Sequence, residues 1–352
     1  MSRYFSERYA SLKPYVPGEQ PQDRQYVKLN TNESPFPPNE AAIAYANENA
    51  RSYELYSDIE AVLLREELAK TYHVPPECIM VSDGSDEMLN FAFLAFGSEA
   101  RPAIFPDITY GFYRVYADID RIPYREIPLE DDLTIDLKRY EGQKAVIFLA
   151  NPNAPTGIAL EPEEIEWLAR RSPESVIVVD EAYVDFGARS CVPLIQRLNN
   201  LLVVQTFSKS RSLAGARLGF AIGCPDLMRD MQTIRYSLNP YNVNSFTLAL
   251  GIGVLRDAET VRSNCEAIIK NRAYLTEGLK AMGFVCTPSM ANFVFARHLR
   301  LNGRLLYEML KDRGVLVRHF DQSRIRQYNR ITVGTIEQID RLLQETARIL
   351  NE

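Results

Sequence analysis

The chain has 352 residues, 46 % of them apolar and 24 % charged, with a formal net charge of -6. That length exceeds what one compact core usually holds, so two lobes are expected, and the composition excludes disorder and fibre. An acidic chain with no run of ~18 apolar residues leaves no chain-wide basic face for nucleic acid and no expected membrane span, while a local basic pocket for a small anion stays open.

Residues 1–28 are rich in Pro, Tyr and Gln. Within them, Lys13-Pro14-Tyr15-Val16-Pro17-Gly18 cannot be helical, because proline removes a backbone donor and restricts its predecessor. The segment reads as an arm lying over another surface. Pro35, Pro37 and Pro38 mark a loop before a helix near 39–50, and helical spacing returns over 59–72. Ile79-Met80-Val81 predicts a strand, followed by Asp83-Gly84-Ser85-Asp86 and a helix into Phe96. Apolar runs at 103–105, 145–149, 176–179 and 201–205 predict short buried strands. Continuous apolar strands separated by helices indicate an α/β domain with a mostly parallel sheet.

Residues 244–279 read as helical, with 261–275 connecting the lobes. Beyond 284 the pattern changes to strands at 293–295, 315–317 and 330–333 with helices at 303–313 and 336–350, a compact α+β lobe. The expected division is an arm (1–28), a large domain (29–243) and a small carboxyl-terminal domain with the interlobe helix (244–352). No internal repeat occurs. Residues 1–13 are polar and lack an apolar signal core. Cys78, Cys191, Cys224, Cys265 and Cys286 are scattered without CxxC spacing and read as reduced thiols of a cytoplasmic protein. His73, His298 and His319 lie too far apart in sequence to suggest a metal cluster.

Five segments and one further strand-exit tyrosine carry candidate chemistry. Val176 to Val179 form a β-branched run ending in Asp180-Glu181-Ala182-Tyr183. An acid at the carboxyl end of such a strand sits where open α/β sheets bind ligands, and a buried Asp needs a positive partner. A pyridinium nitrogen is such a partner; a cap on the next element is the plainer reading. A second strand ends in Thr206-Phe207-Ser208-Lys209, followed by Leu213-Ala214-Gly215-Ala216-Arg217-Leu218-Gly219. A lysine there can form an imine if its pKa is lowered, and Arg217 with Ser208 can hold a phosphate. Taken alone, a solvated loop is the stronger reading. Asp83-Gly84-Ser85-Asp86 offers free amides at a helix start, as a phosphate cradle or as a simple cap.

The fourth segment, Asn151-Pro152-Asn153-Ala154-Pro155-Thr156-Gly157, is a rigid turn whose amides can face a ligand. Tyr110, at another strand exit, can stack on a flat heterocycle or simply pack its loop. Last, Arg330 opens a strand of the small lobe and suits a carboxylate if buried, or marks a surface strand end if not.

In this order the blocks resemble the fold-type I pyridoxal phosphate-dependent aminotransferases, and among them the histidinol-phosphate aminotransferase family. The likeness runs from the Pro14-Tyr15 arm to the Arg330 strand and includes Leu29-Asn30-Thr31-Asn32-Glu33-Ser34-Pro35, Pro240-Tyr241-Asn242-Val243-Asn244 and Ala291-Asn292-Phe293. The resemblance implies pyridoxal phosphate on Lys209, Asp180 on the pyridine nitrogen, Tyr183 on the ring's phenolic oxygen and Tyr110 stacked on the ring. It implies Gly84, Ser85, Asp86 (through its backbone), Ser208 and Arg217 around the phosphate, with Tyr56 crossing from the other subunit of a homodimer. Arg330 would take the substrate carboxylate, and Tyr15, Asn32 and Arg318 would line the substrate side, Arg318 as a second anion contact.

Three departures stand out. Ala154 replaces the asparagine that touches the ring oxygen, leaving that bond missing or supplied by Asn151 or Asn153. Ser210-Arg211-Ser212 replaces Ala-Phe-Gly after the lysine, and Met290 stands where Gln is common. The implied reaction is ping-pong transamination between histidinol phosphate and 2-oxoglutarate, within histidine biosynthesis. An aromatic amino acid aminotransferase or a threonine-phosphate decarboxylase would keep the same cofactor residues, and a silent pyridoxal phosphate-binding protein is the alternative of another class.

Overall fold

The computed structural model describes residues 2–50 and 53–352. Its centre is a seven-stranded sheet in the spatial order Ile79–Ser82, Gly219–Gly223, Leu201–Thr206, Val176–Asp180, Val146–Ala150, Ala103–Pro106 and Tyr124–Ile127. Gly219–Gly223 runs antiparallel to both of its neighbours, and the other pairs are parallel.

Side chains alternate strictly across this sheet, as the two-residue period of a strand requires. Ile147, Leu149, Ile177, Val179, Leu201 and Val203 face one core, which Leu64, Leu68, Ile165, Leu168 and Leu248 complete from the helices. Val146, Phe148, Val176, Val178, Leu202 and Val204 face the other, closed by Met88, Phe93, Tyr113 and Met231. Both faces are dry, so the inner strands read as unbroken apolar runs. Only the edge strand Tyr124–Ile127 exposes part of its length.

The second lobe is an antiparallel sheet ordered Arg318–His319, Tyr328–Thr332, Phe293–His298 and Phe284–Cys286. The helices Ala258–Ala281, Gly303–Asp312 and Ile336–Leu350 bury Ile268, Leu275, Leu306, Leu310, Ile339 and Leu342 in its core. Val315–Leu316 does not join that sheet. It pairs in parallel with Val27–Lys28, so the end of the arm becomes a strand against the small lobe.

Several expectations shift. The helix read over 59–72 begins at Val62, because the Asp58 carboxylate accepts from the amides of Glu60 and Val62 at 3.0 and 2.8 Å and holds a turn there. The single helix read over 244–279 is two, Ser245–Arg256 and Ala258–Ala281. Asp257 breaks it by capping the second helix, its carboxylate accepting from the Thr260 amide at 3.2 Å. Ser245–Arg256 packs into the core of the seven-stranded sheet. The loop expected over 213–219 ends at Leu218, and Gly219 begins a central strand, Gly219–Gly223, whose terminal glycines weaken the local strand signal. No helix among the described residues is long and apolar enough to cross a membrane.

Phe148 anchors the second core, stacked on Phe93 with ring centroids 3.9 Å apart. Phe148→Ala should lower stability by about 3–5 kcal/mol, the usual result of truncating a buried aromatic. Urea unfolding checks this; a midpoint equal to wild type would show that the core collapses around the gap.

Candidate active site

The parallel strands all end at one edge of the sheet, where ligands bind in open α/β folds. Asp180 ends its strand there, Ser208 and Lys209 follow Thr206, and Gly84, Ser85 and Asp86 open the helix Gly84–Phe96. The antiparallel strand brings its start to the same edge, Gly219 lying opposite both Ser82 and Thr206. A cavity of about 280 Å³ opens above this edge, and the small lobe closes its far side with Arg318 and Arg330.

Asp180 is buried. Its carboxylate accepts from the Tyr113 hydroxyl at 2.9 Å and the Ala182 amide at 3.2 Å. Burial pushes its carboxyl up to about 6, although the Tyr113 bond pulls the other way. Tyr113 escaped the sequence reading. It sits three residues after Tyr110 at the head of the helix Phe112–Asp120, and its ring is fully buried against Phe148 and Phe105. A tyrosine at that depth needs a partner for its hydroxyl, and the depth itself is set by packing that the sequence does not show.

Lys209 reaches into the cavity from the loop after Thr206, and its amine donates to the Thr31 carbonyl at 3.4 Å. Desolvation lowers the amine to about 8, and the Arg330 guanidinium adds to the effect. An amine at that value is partly neutral near physiological pH, the state a nucleophile or proton carrier needs.

Opposite lies a tight corner. Gly84 has φ +78°, and a Cβ on Gly219 would come within 2.4 Å of the Gly84 carbonyl carbon and the Ser85 nitrogen. Strand start and helix start therefore touch through bare backbone, leaving the amides of the helix N-terminus open to the cavity. The Asp86 side chain is not idle. It accepts from the Tyr110 hydroxyl at 2.6 Å and pairs with Arg217 at 2.9 Å, so it ties the expected ring stacker to the expected phosphate ligand. Ser208 and Thr206 share a hydroxyl bond of 3.0 Å, and Thr206, another residue the sequence reading passed over, also lines the cavity.

On the other side, Asn32 donates to the Tyr183 hydroxyl at 3.0 Å and is held by Thr332 and Asn292 of the small lobe. Arg330 donates to the Asn30 carbonyl at 3.2 Å, lies over the Phe293 ring and leaves its buried Nε without a partner. Burial lowers its pKa, which marks a guanidinium short of a counter-anion. Arg318 lines the cavity but spends its fork on the arm, donating to the carbonyls of Pro17 and Val16 at 3.0 and 2.8 Å. The arm thus lies across the cavity, with Tyr15 stacked on Phe112 at 4.2 Å.

Two expected site residues turn away from the cavity, and Tyr56, expected at a partner's site, stands apart from it. Asn151 uses both ends of its amide on the Leu160 backbone, at 3.0 and 2.7 Å. Asn153 donates to the Ile108 carbonyl and accepts from Thr109. Both brace the turn from inside, and the wall facing the cavity is Ala154 itself. Tyr56 is exposed, stacked on Tyr241 with ring centroids 4.3 Å apart.

The upward shift of Asp180 has a definite sign. A carboxyl near 6 in the fold against about 4 in the unfolded chain makes the folded state hold more protons between those values, so its contribution falls as pH rises through that window. Asp180→Asn should therefore gain stability on the wild type between about pH 4 and 7, in cofactor-free protein, as the charge it removes becomes harder to bury. Urea midpoints of both proteins across that range measure it, and a constant difference would show that Asp180 ionises freely.

A family model described as aminotransferase class I and II matches residues 24–345. The chain is 46 % identical over 344 residues to the histidinol-phosphate aminotransferase 1 of Bradyrhizobium diazoefficiens, covering 98 % of each protein. It is 44 % identical over 354 residues to the histidinol-phosphate aminotransferase of Acetobacter pasteurianus, covering 99 % of each. Among solved structures, the histidinol-phosphate aminotransferase of Sinorhizobium meliloti in complex with pyridoxal-5'-phosphate superposes with a TM-score of 0.89 at 22 % identity, over 100 % of this chain and 98 % of that one, a likeness of fold. The chain belongs to the class I and II aminotransferase family.

Proposed function

We propose that this enzyme transfers the amino group of histidinol phosphate to 2-oxoglutarate, using pyridoxal phosphate carried on Lys209. The carrying observation is the meeting of a desolvated amine, a buried acid and a guanidinium without a counter-anion around one cavity. The relatives at 46 and 44 % identity bear that substrate in their names.

The residues fit the cofactor. The corner that a Cβ on Gly219 would fill leaves open amides at a helix N-terminus, and Ser208 and Arg217 add donors for a phosphate. Asp180 has two neutral donors and no bonded cation, which a protonated ring nitrogen would supply. Tyr183 is left to hold the ring oxygen, since Asn151 and Asn153 are committed to the turn and Ala154 has no donor. Tyr110, tethered through Asp86, offers a ring face.

When bound, the cofactor supplies an aldehyde that accepts the amino group and a cationic ring that withdraws electrons. Asp180 keeps a proton on the ring nitrogen. Once the amino donor has taken its place on the cofactor, the freed Lys209 amine would take the proton from the donor's Cα as a base and return it as an acid to the carbon that receives the amino group. Arg330, with Arg318 beside it, binds the anionic end of each substrate in turn, phosphate or carboxylate, so one site serves both halves of a ping-pong cycle. The arm and the small lobe shield the reacting atoms from water.

We read the protein as a cytoplasmic homodimer. Tyr56 and Tyr241 form an exposed aromatic pair that suits burial against a second copy, and Tyr56 would reach the partner's phosphate corner.

Lys209→Ala should abolish both the visible absorbance of the purified enzyme and its borohydride-sensitive bleaching; a variant that bleaches as wild type does would end the assignment. Arg330→Ala should raise KM for 2-oxoglutarate roughly tenfold to hundredfold, the worth of a bond to a charged group, with cofactor affinity little changed. Turnover measured on histidinol phosphate, phenylalanine and threonine phosphate decides the donor, and preference for either of the last two would replace the substrate named here.

A further inference from the structure

Behind the cavity lies a polar cluster that takes no part in lining it. Arg211, two residues after Lys209, is only 8 % exposed. Its guanidinium pairs with Asp185 at 3.2 Å and donates to the Tyr72 hydroxyl at 2.7 Å. Its face lies over the rings of Phe207 and Phe220, 5.1 and 5.8 Å from their centroids. Ser210 also donates to Asp185. Tyr72 donates to the Gln205 side chain, and Gln205 donates to the Glu181 carboxylate at 2.8 Å.

Lys209, Asp180 and Tyr183 each have a near chain neighbour in this cluster: Arg211 for the first, Glu181 for the second, Asp185 for the third. One backbone bond of the lysine loop reaches beyond it, from the Phe207 amide to the Leu218 carbonyl at 2.9 Å, toward the reversed strand and not toward the segment bearing Asp180; the others are local. Leu213 donates to the Phe207 carbonyl at 3.0 Å and Ser212 to that of Lys209 at 3.3 Å, which sets the shape of the loop rather than its place against the neighbouring strand end. A buried ion pair adds little net stability over apolar packing. A planar fork with fixed partners does define a geometry.

We propose that Arg211 is a positioning residue: with Asp185 it clasps the lysine loop to the segment bearing Asp180 and Tyr183, and so fixes where the Lys209 amine stands. The inference rests on the reading that Lys209 carries the cofactor.

The test compares wild-type holoenzyme with Arg211→Met, Arg211→Lys and Asp185→Asn. Two quantities are read: kcat and KM for histidinol phosphate, and the pH midpoint of the visible absorbance band. Loosening the loop should lower kcat roughly tenfold to hundredfold, the usual effect of a small misplacement of a reacting group, while KM moves less than about threefold. The band's midpoint should rise in Arg211→Met, because a freed nitrogen regains the water that stabilises its charged form. Arg211→Lys should recover part of both. Wild-type kcat and midpoint in Arg211→Met would overturn the proposal. So would a loss of folded protein whose surviving fraction titrates and turns over normally, since Arg211 would then serve folding alone. If Arg211→Met does not fold, Asp185→Asn decides, because its side chain is one-third exposed and the substitution leaves the arginine in place. A wild-type enzyme without the visible band would sink the cofactor reading instead, a result distinct from failure of the clasp.

Discussion

The carboxylate of Asp180 is carried to the end of a strand that is buried along its whole length. A charge in such a place is costly unless something answers it, and its two bonded donors are both neutral. The enclosure that raises this acid also strips water from Lys209 and from Arg330, and both lose proton affinity. An acid pushed up and an amine pushed down in one cavity bring two proton carriers toward neutrality from opposite sides. In the proposed function a cofactor with a cationic ring and a reactive aldehyde answers the acid and the amine, and the anionic substrate answers Arg330.

The geometry that makes this possible comes from one reversed strand. Gly219–Gly223 runs against its neighbours, so its first residue rather than its last stands at the active edge, between Ser82 and Thr206. Bare backbone meets bare backbone there, and the start of the helix Gly84–Phe96 is pressed against the sheet with its amides free. Arg217, just before the reversed strand, turns through the left-handed region at φ 56° and brings its fork to the same corner. The arm completes the enclosure from the other side. It is paired through Val27–Lys28 with the small lobe, held by Arg318 at residues 16 and 17, and stacked through Tyr15 on Phe112 of the large lobe.

Much of this was legible in the chain. The strands around 176–179 and 201–205 were plain, because a strand covered on both faces needs an apolar residue at every position. The polar residues just past them announced an edge built for a ligand. The Ser-Arg-Ser departure after Lys209 was visible too, but only as a difference. That Arg211 lies buried against Asp185 and two aromatic rings is a matter of contacts between segments distant in sequence.

The α/β class, the strand-end placement of Asp180 and Lys209, and the inventory of amine, acid and guanidinium are all readable from the chain alone. These follow from local periodicity and residue chemistry, which act over a few neighbours along the chain. Packing between distant segments turns Asn151 and Asn153 inward to their own turn, makes Gly219 the start of a strand, and brings the Tyr113 hydroxyl to Asp180. It also joins Tyr110 to Arg217 through Asp86. Each of these depends on which polar group finds a partner once water is removed, and that choice is made between elements far apart in the sequence.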